Sequence, residues 1–114
     1  MFRVSTREKA EREFARAEKL LGRKLDLISC ERYWKDQSFW RCGAKCDLAS
    51  TSVNEQIGEC LLLANNLAIG WCVLGPALEP DGRLGQFSGV FDVRRDHTSL
   101  SSLTWADFAV IAQP

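Results

Sequence analysis

The sequence predicts an α+β domain: an antiparallel four-stranded sheet made of two hairpins, with helices on one face, in the order α-β-β-α-β-β-α. Three observations carry that expectation. The hydrophobic period switches between helical and extended spacing, turn chemistry sits between the extended runs, and few connections are long enough for parallel crossovers. At 114 residues, positions 1–114 read as a single domain able to bury its own core.

STREKAEREFARAEKLLG (5–22) reads as the first helix. Ser5 and Glu8 have capping-box spacing, and Ala10, Phe14, Ala17 and Leu21 form one apolar stripe. Arg7–Glu11 and Glu8–Arg12 pair along its outer faces, and Gly22 stands where a left-handed C-cap belongs. Leu25 to Trp34 and Phe39 to Leu48 read as strands around the turn Lys35-Asp36-Gln37-Ser38. In the second, Trp40, Cys42, Ala44, Cys46 and Leu48 alternate with Phe39, Arg41, Gly43, Lys45 and Asp47.

In ASTSVNEQIGECLLLANNLAIG the helical period returns. Val53, Ile57, Cys60, Leu61, Ala64 and Ala68 share a face, and Ser52 with Glu55 again has capping-box spacing. Asn65-Asn66 and Gly70 both qualify as terminators, and a hairpin turning at Asn65-Asn66 is the competing reading. WCVLGPAL and RLGQFSGVFDV flank Glu79-Pro80-Asp81-Gly82, a type I turn signal and hence a second hairpin. Gly75-Pro76 calls for a bulge or an edge position. RRDHTSLSS is a polar loop. LTWADFAVIA is expected to form a short helix capped by Thr104, with a last strand as the alternative because Val110 and Ile111 are β-branched.

Composition narrows the function classes. With 46% hydrophobic and 26% charged residues the chain is of globular type. It has no apolar run long enough for a membrane span, and its N-terminus lacks the apolar region of a signal peptide, so a cytoplasmic location is expected. Five cysteines, an odd number at irregular spacing, fit reduced thiols used as small hydrophobes. Fifteen Lys+Arg balance fifteen Asp+Glu, which argues against a general nucleic-acid binder. The distribution is uneven: residues 1–45 carry a net +5 and residues 46–114 a net −5. That asymmetry implies either a polarised surface that steers a charged partner or two faces that meet in the fold.

CERYWKDQSFWRCGAKC (30–46) is the most chemically loaded stretch. Structural zinc needs four ligands around one ion, whereas Cys42 and Cys46 on a regular strand lie about 13 Å apart at ~3.3 Å per residue. No cofactor or metal site is therefore expected. The C-x3-C spacing also lacks the tight turn of a redox pair, although Cys30 and Cys42 could face each other across the hairpin. Interleaved aromatics and cations (Arg32, Tyr33, Trp34, Lys35, Phe39, Trp40, Arg41 and Lys45) suit a single-strand nucleic-acid surface, but cross-strand packing explains the same residues. His97 beside Asp96 is the one candidate for a small enzyme; a lone Asp-His in a polar loop is more often solvated, and no catalytic signature accompanies it.

Binding of a macromolecule remains. Trp34, Trp71, Phe87, Phe91 and Trp105 exceed what the centre of a four-stranded sheet needs, so Phe87 and Trp105 are taken as partner-binding anchors. The acidic set Glu59, Glu79, Asp81, Asp92 and Asp96 would face a basic partner. In its ~110-residue α+β body, its missing catalytic motif and its Trp-rich hairpin GWCVLGPALEPDGRLGQFSGVF, the chain resembles the small immunity proteins that accompany bacterial polymorphic toxins. The resemblance is one of kind across the whole chain and carries over no individual residue. It implies a cytoplasmic antidote that covers the active site of a cognate toxin; were that toxin a nuclease, an acidic face would mimic the phosphates it expects.

Overall fold

A computed structural model describes residues 1–76, 80–81 and 86–110. The order is β1 (Phe2–Arg3), α1 (Arg7–Leu21), β2 (Asp26–Arg32), β3 (Phe39–Lys45), α2 (Val53–Leu67), β4 (Ala68–Ile69), β5 (Cys72–Leu74), β6 (Phe87–Asp92), β7 (His97–Thr98) and β8 (Trp105–Val110). The α+β class and the antiparallel pairing are as the sequence predicts. The single four-stranded sheet is not: the strands form three small sheets, β1-β3-β2, β4-β7 and β5-β6-β8.

The helices follow local chemistry, with two corrections to their ends. Thr6, not Ser5, caps α1, its hydroxyl accepting the Lys9 N–H at 3.2 Å while Ser5 Oγ takes the Lys9 ammonium at 3.1 Å. Gly22 closes the helix at φ 73°, where a Cβ would be strained. In α2 the Ser52 hydroxyl accepts the Glu55 N–H at 3.3 Å, and the helix runs through Asn65-Asn66. Side chains from outside the helix satisfy its last carbonyls. The Trp71 indole N–H reaches Ala64 O at 3.0 Å and Ala68 O at 2.8 Å, and the Thr98 hydroxyl reaches Leu67 O at 2.8 Å. The competing hairpin is thereby excluded.

Both expected hairpins form, β2–β3 and β5–β6. In the first turn, Asp36 accepts from the Ser38 N–H at 3.0 Å and its hydroxyl at 2.7 Å. β2 carries one extra residue between Leu27 and Ser29, so Leu27 and Ile28 are both exposed. Of the second turn, Glu79 and Gly82 lie outside the described residues. Gly75-Pro76, a cis bond, follows the edge strand β5.

The helix expected at residues 103–112 is a strand. From Trp105 to Val110 it pairs with β6, because Ala106, Phe108 and Val110 turn inward on a period of two while Asp107 and Ala109 face out. Its inward Phe108 lies over Gly89, where a Cβ would stand 2.5 Å from the ring. The polar loop likewise contains β7, paired with β4.

β1 was not foreseen at all, and it holds the two larger sheets together. On one side Phe2 and Arg3 pair with Trp40 and Phe39 of β3. On the other, the Arg3 N–H donates to Ser102 O at 2.9 Å and Met1 O accepts the Thr104 N–H at 3.0 Å. Phe2 is 4% exposed and packs with Ala17, Ala68, Phe91, Leu100 and Leu103 in the core. No helix among the described residues is long and apolar enough to cross a membrane.

Candidate functional site

Strand β1 is two residues long, whereas its neighbours continue. Among the described residues, β3 beyond Trp40 has β2 on one side and no strand on the other, and β8 has β6 on one side and no further strand. Between these two edges opens a cleft of about 1420 Å³. Its floor is helical, with Phe14 and Ala17 from α1 and Cys60 and Ala64 from α2. Arg41, Cys42, Ala44 and Lys45 form one rim, and Trp105, Ala106, Asp107 and Phe108 the other. At the end nearest β1, the Met1 ammonium donates to Trp105 O, and burial pulls its pKa down to about 6.

Polarity is divided by the strand pleat. Phe2 and Trp40 share a register position, so Cys42 and Ala44 continue the inward face of β3 while Arg41 and Lys45 stand outward. The thiols are packing groups. Cys30 and Cys42 are register partners with their sulfurs 3.5 Å apart, and burial followed by the Cys30 contact pushes the Cys42 thiol up to about 12. Burial raises Cys60 to about 11 and also raises Cys46. Cys42, Cys46 and Cys60 are therefore thiols near neutral pH and not activated nucleophiles. No group of three or more His, Cys, Asp or Glu able to hold a metal ion occurs among the described residues.

Three of the acidic candidates, Glu59, Asp92 and Asp96, are structural anchors. Glu59 accepts the Arg23 guanidinium at 2.8 Å, the Ala49 N–H at 2.6 Å, and the Ser50 N–H and hydroxyl at 3.0 Å each. Arg23, then the Ala49 N–H, hold its carboxyl down at about 2. The Asp92 carboxylate is tied to the Arg94 side chain at 2.6 Å and to the Arg94 N–H at 3.0 Å, which lower it to about 2. Asp96, 3% exposed in its side chain, binds the Arg95 guanidinium at 2.7 Å and the Asp92 N–H at 3.0 Å. That carboxylate packs over Gly70, where φ is 91° and a Cβ would lie 2.8 Å from Asp96 Oδ1. Asp96 is thus turned to Arg95 and the Asp92 turn, the opposite of what orienting His97 as a base would need.

Phe87 is 2% exposed against Phe108 and cannot anchor a partner. Asp81 is exposed, and Glu79 lies outside the described residues. Among the described members of the foreseen set, Trp105 alone lines the cleft, and those members do not gather into one patch. Sequence reasoning met Arg41 and Lys45 only as cations of the loaded stretch and read Asp107 within an expected helix, so it placed none of them at a rim. The shortness of β1, which makes them a rim, is a tertiary fact. Trp34 stands apart at the first hairpin's tip, 79% exposed, with the Lys35 ammonium 5.1 Å from its ring centre.

Comparison with known proteins returned no matching family model, no matching curated protein and no matching solved structure.

Proposed function

We propose that this chain is a cytoplasmic protein-binding inhibitor of the immunity type, which captures a cognate toxin domain and covers its active site. The observation that supports this is the cleft between β3 and β8. At about 1420 Å³ it exceeds the usual ~300–1,000 Å³ of small-molecule sites, and its apolar floor with a sparse charged rim suits a macromolecular contact. Cys30, Cys42, Glu59 and Asp96 are held in packing and internal bonds, which does not equip them as a base–nucleophile pair. The partner's chemistry is read from the cleft, not from an acidic face, since Glu59, Asp92 and Asp96 already carry their own arginines.

A second reading, a single-stranded nucleic-acid module, is favoured by one feature: exposed Trp34 beside Lys35 and Tyr33, the ring centres of Tyr33 and Trp34 lying 6.3 Å apart. Co-expression decides between them. With the toxin domain encoded beside its gene, the chain restores growth and co-purifies as a stable complex without turnover. Failure to restore growth, with bound RNA raising the absorbance at 260 nm and lost on Trp34→Ala, would transfer the function to the second reading.

A further inference from the structure

We propose that Cys30 and Cys42 form an oxidation site, where a peroxide converts the two thiols into a disulfide that staples β2 to β3 and a dithiol reverses it. The backbone sets the pair. The Tyr33 N–H donates to Phe39 O at 2.9 Å, so by antiparallel alternation Glu31 and Arg41 form a hydrogen-bonded pair. Cys30 and Cys42, the next register partners, form a non-hydrogen-bonded one. At such positions the Cα atoms stand about 4.5 Å apart, within the span of about 4.4–6.8 Å that a disulfide bridges. The sulfurs are already 3.5 Å apart, and rotation of the side chains brings them to the bonded length of ~2.05 Å. Cys46 instead donates to Asp47 O at 3.6 Å, and Cys72 is exposed. The site does not depend on what the cleft binds.

Access is one-sided. Cys30 is 7% exposed, whereas Cys42 lines the cleft and packs against the core that holds Phe2. Cys42 therefore meets the oxidant first. Its sulfur attacks one oxygen of hydrogen peroxide, the S–O bond forms, the O–O bond breaks, and the departing hydroxide leaves as water with the thiol's proton. Cys30 then attacks the sulfur of the sulfenic acid. The S–S bond forms, the S–O bond breaks, and the second hydroxide leaves as water with the Cys30 proton. Two thiols and one peroxide become one disulfide and two waters, with two electrons passing from sulfur to the peroxide. The first step is slow, since burial keeps Cys42 protonated; the second is fast, since the attacking sulfur is already in contact. This is a structural dithiol and not a catalytic one, and its product ties the β3 wall of the cleft to β2.

The test uses the full chain carrying Cys72→Ser, which removes an exposed thiol. After exposure to hydrogen peroxide the monomer is collected, its free thiols are alkylated in denaturant, and it is cut with trypsin without reduction. Peptide 25–32, which holds Cys30, should appear joined to peptide 42–45, which holds Cys42, and dithiothreitol should separate them. The oxidised chain should melt roughly 10 °C higher, an increase that dithiothreitol abolishes and that Cys30→Val does not show. Far-UV circular dichroism checks that Cys30→Val keeps the fold, and Cys30→Ala replaces it as the control if it does not. The proposal is overturned if the joined peptides are absent while other thiols have been oxidised, or if they form only when the chain is unfolded in urea before the peroxide is added. It is also overturned if the joined form melts no higher than the reduced one.

Discussion

At the scale of single residues, the carboxylates of Glu59, Asp92 and Asp96 are spent on holding loops in place. Glu59 joins Arg23, just after α1, to the Ala49–Ser50 backbone that leads into α2, linking the basic and acidic halves of the chain. Its folded pKa of about 2 lies below the ordinary 4.5. Its contribution to stability is therefore full above pH 4.5 and is lost as pH falls through the folded value. Acid titration of the fold should show a progressive loss of stability between pH 4.5 and 2, and Glu59→Gln should shrink that loss while lowering stability at pH 7. An equal acid slope in the variant would remove Glu59 from the account. Gly89→Ala should cost about 1–3 kcal/mol in urea unfolding, since the added methyl meets the packed Phe108 ring and not a mobile chain end. Among the thiols, exposed Cys72 should take up a maleimide first, while Cys30 and Cys42 react last.

At the scale of elements, the two-residue strand β1 has weight out of proportion to its length. It bonds β3 on one edge and the segment before β8 on the other, and Phe2 enters the core shared by α1 and the C-terminal sheet. Phe2→Ala should cost about 3–5 kcal/mol, checked by urea unfolding with tryptophan fluorescence, and should unsettle both sheets together. Elements whose signals are local were legible in the sequence. Ser52 and Gly22 announced helix ends, and the alternation from Phe39 onward announced β3. What the sequence concealed depends on distant partners. MFRV is too short to show a period, so β1 becomes a strand only because two edges wait for it. WADFAV carries an acid after a threonine, as a helix start does, yet the edge of β6 and the Gly89 hollow under Phe108 draw it into extension. The site was less legible still. Alternation correctly turned Cys42 and Ala44 inward and Arg41 and Lys45 outward, but only the third dimension shows that they border a cleft.

At the scale of the whole molecule, two small sheets splay from a common strand, in an elongated body of 47 × 26 × 24 Å. Each sheet alone is too small to bury both its faces; the helices cover the floor between them, and the cleft is what their divergence leaves. Polarity follows the same plan, with inward apolar positions running unbroken from β1 into the cleft and charges confined to the rim. Residue-resolved hydrogen exchange on the free, monomeric chain tests this most directly. The amide of Arg41, bonded to β2, should exchange slowly, and its neighbours Cys42 and Ala44 should exchange much faster. Uniformly slow exchange along all three, in a species shown to be a monomer, would mean that the two edges have closed on each other and that the cleft is not open to a partner.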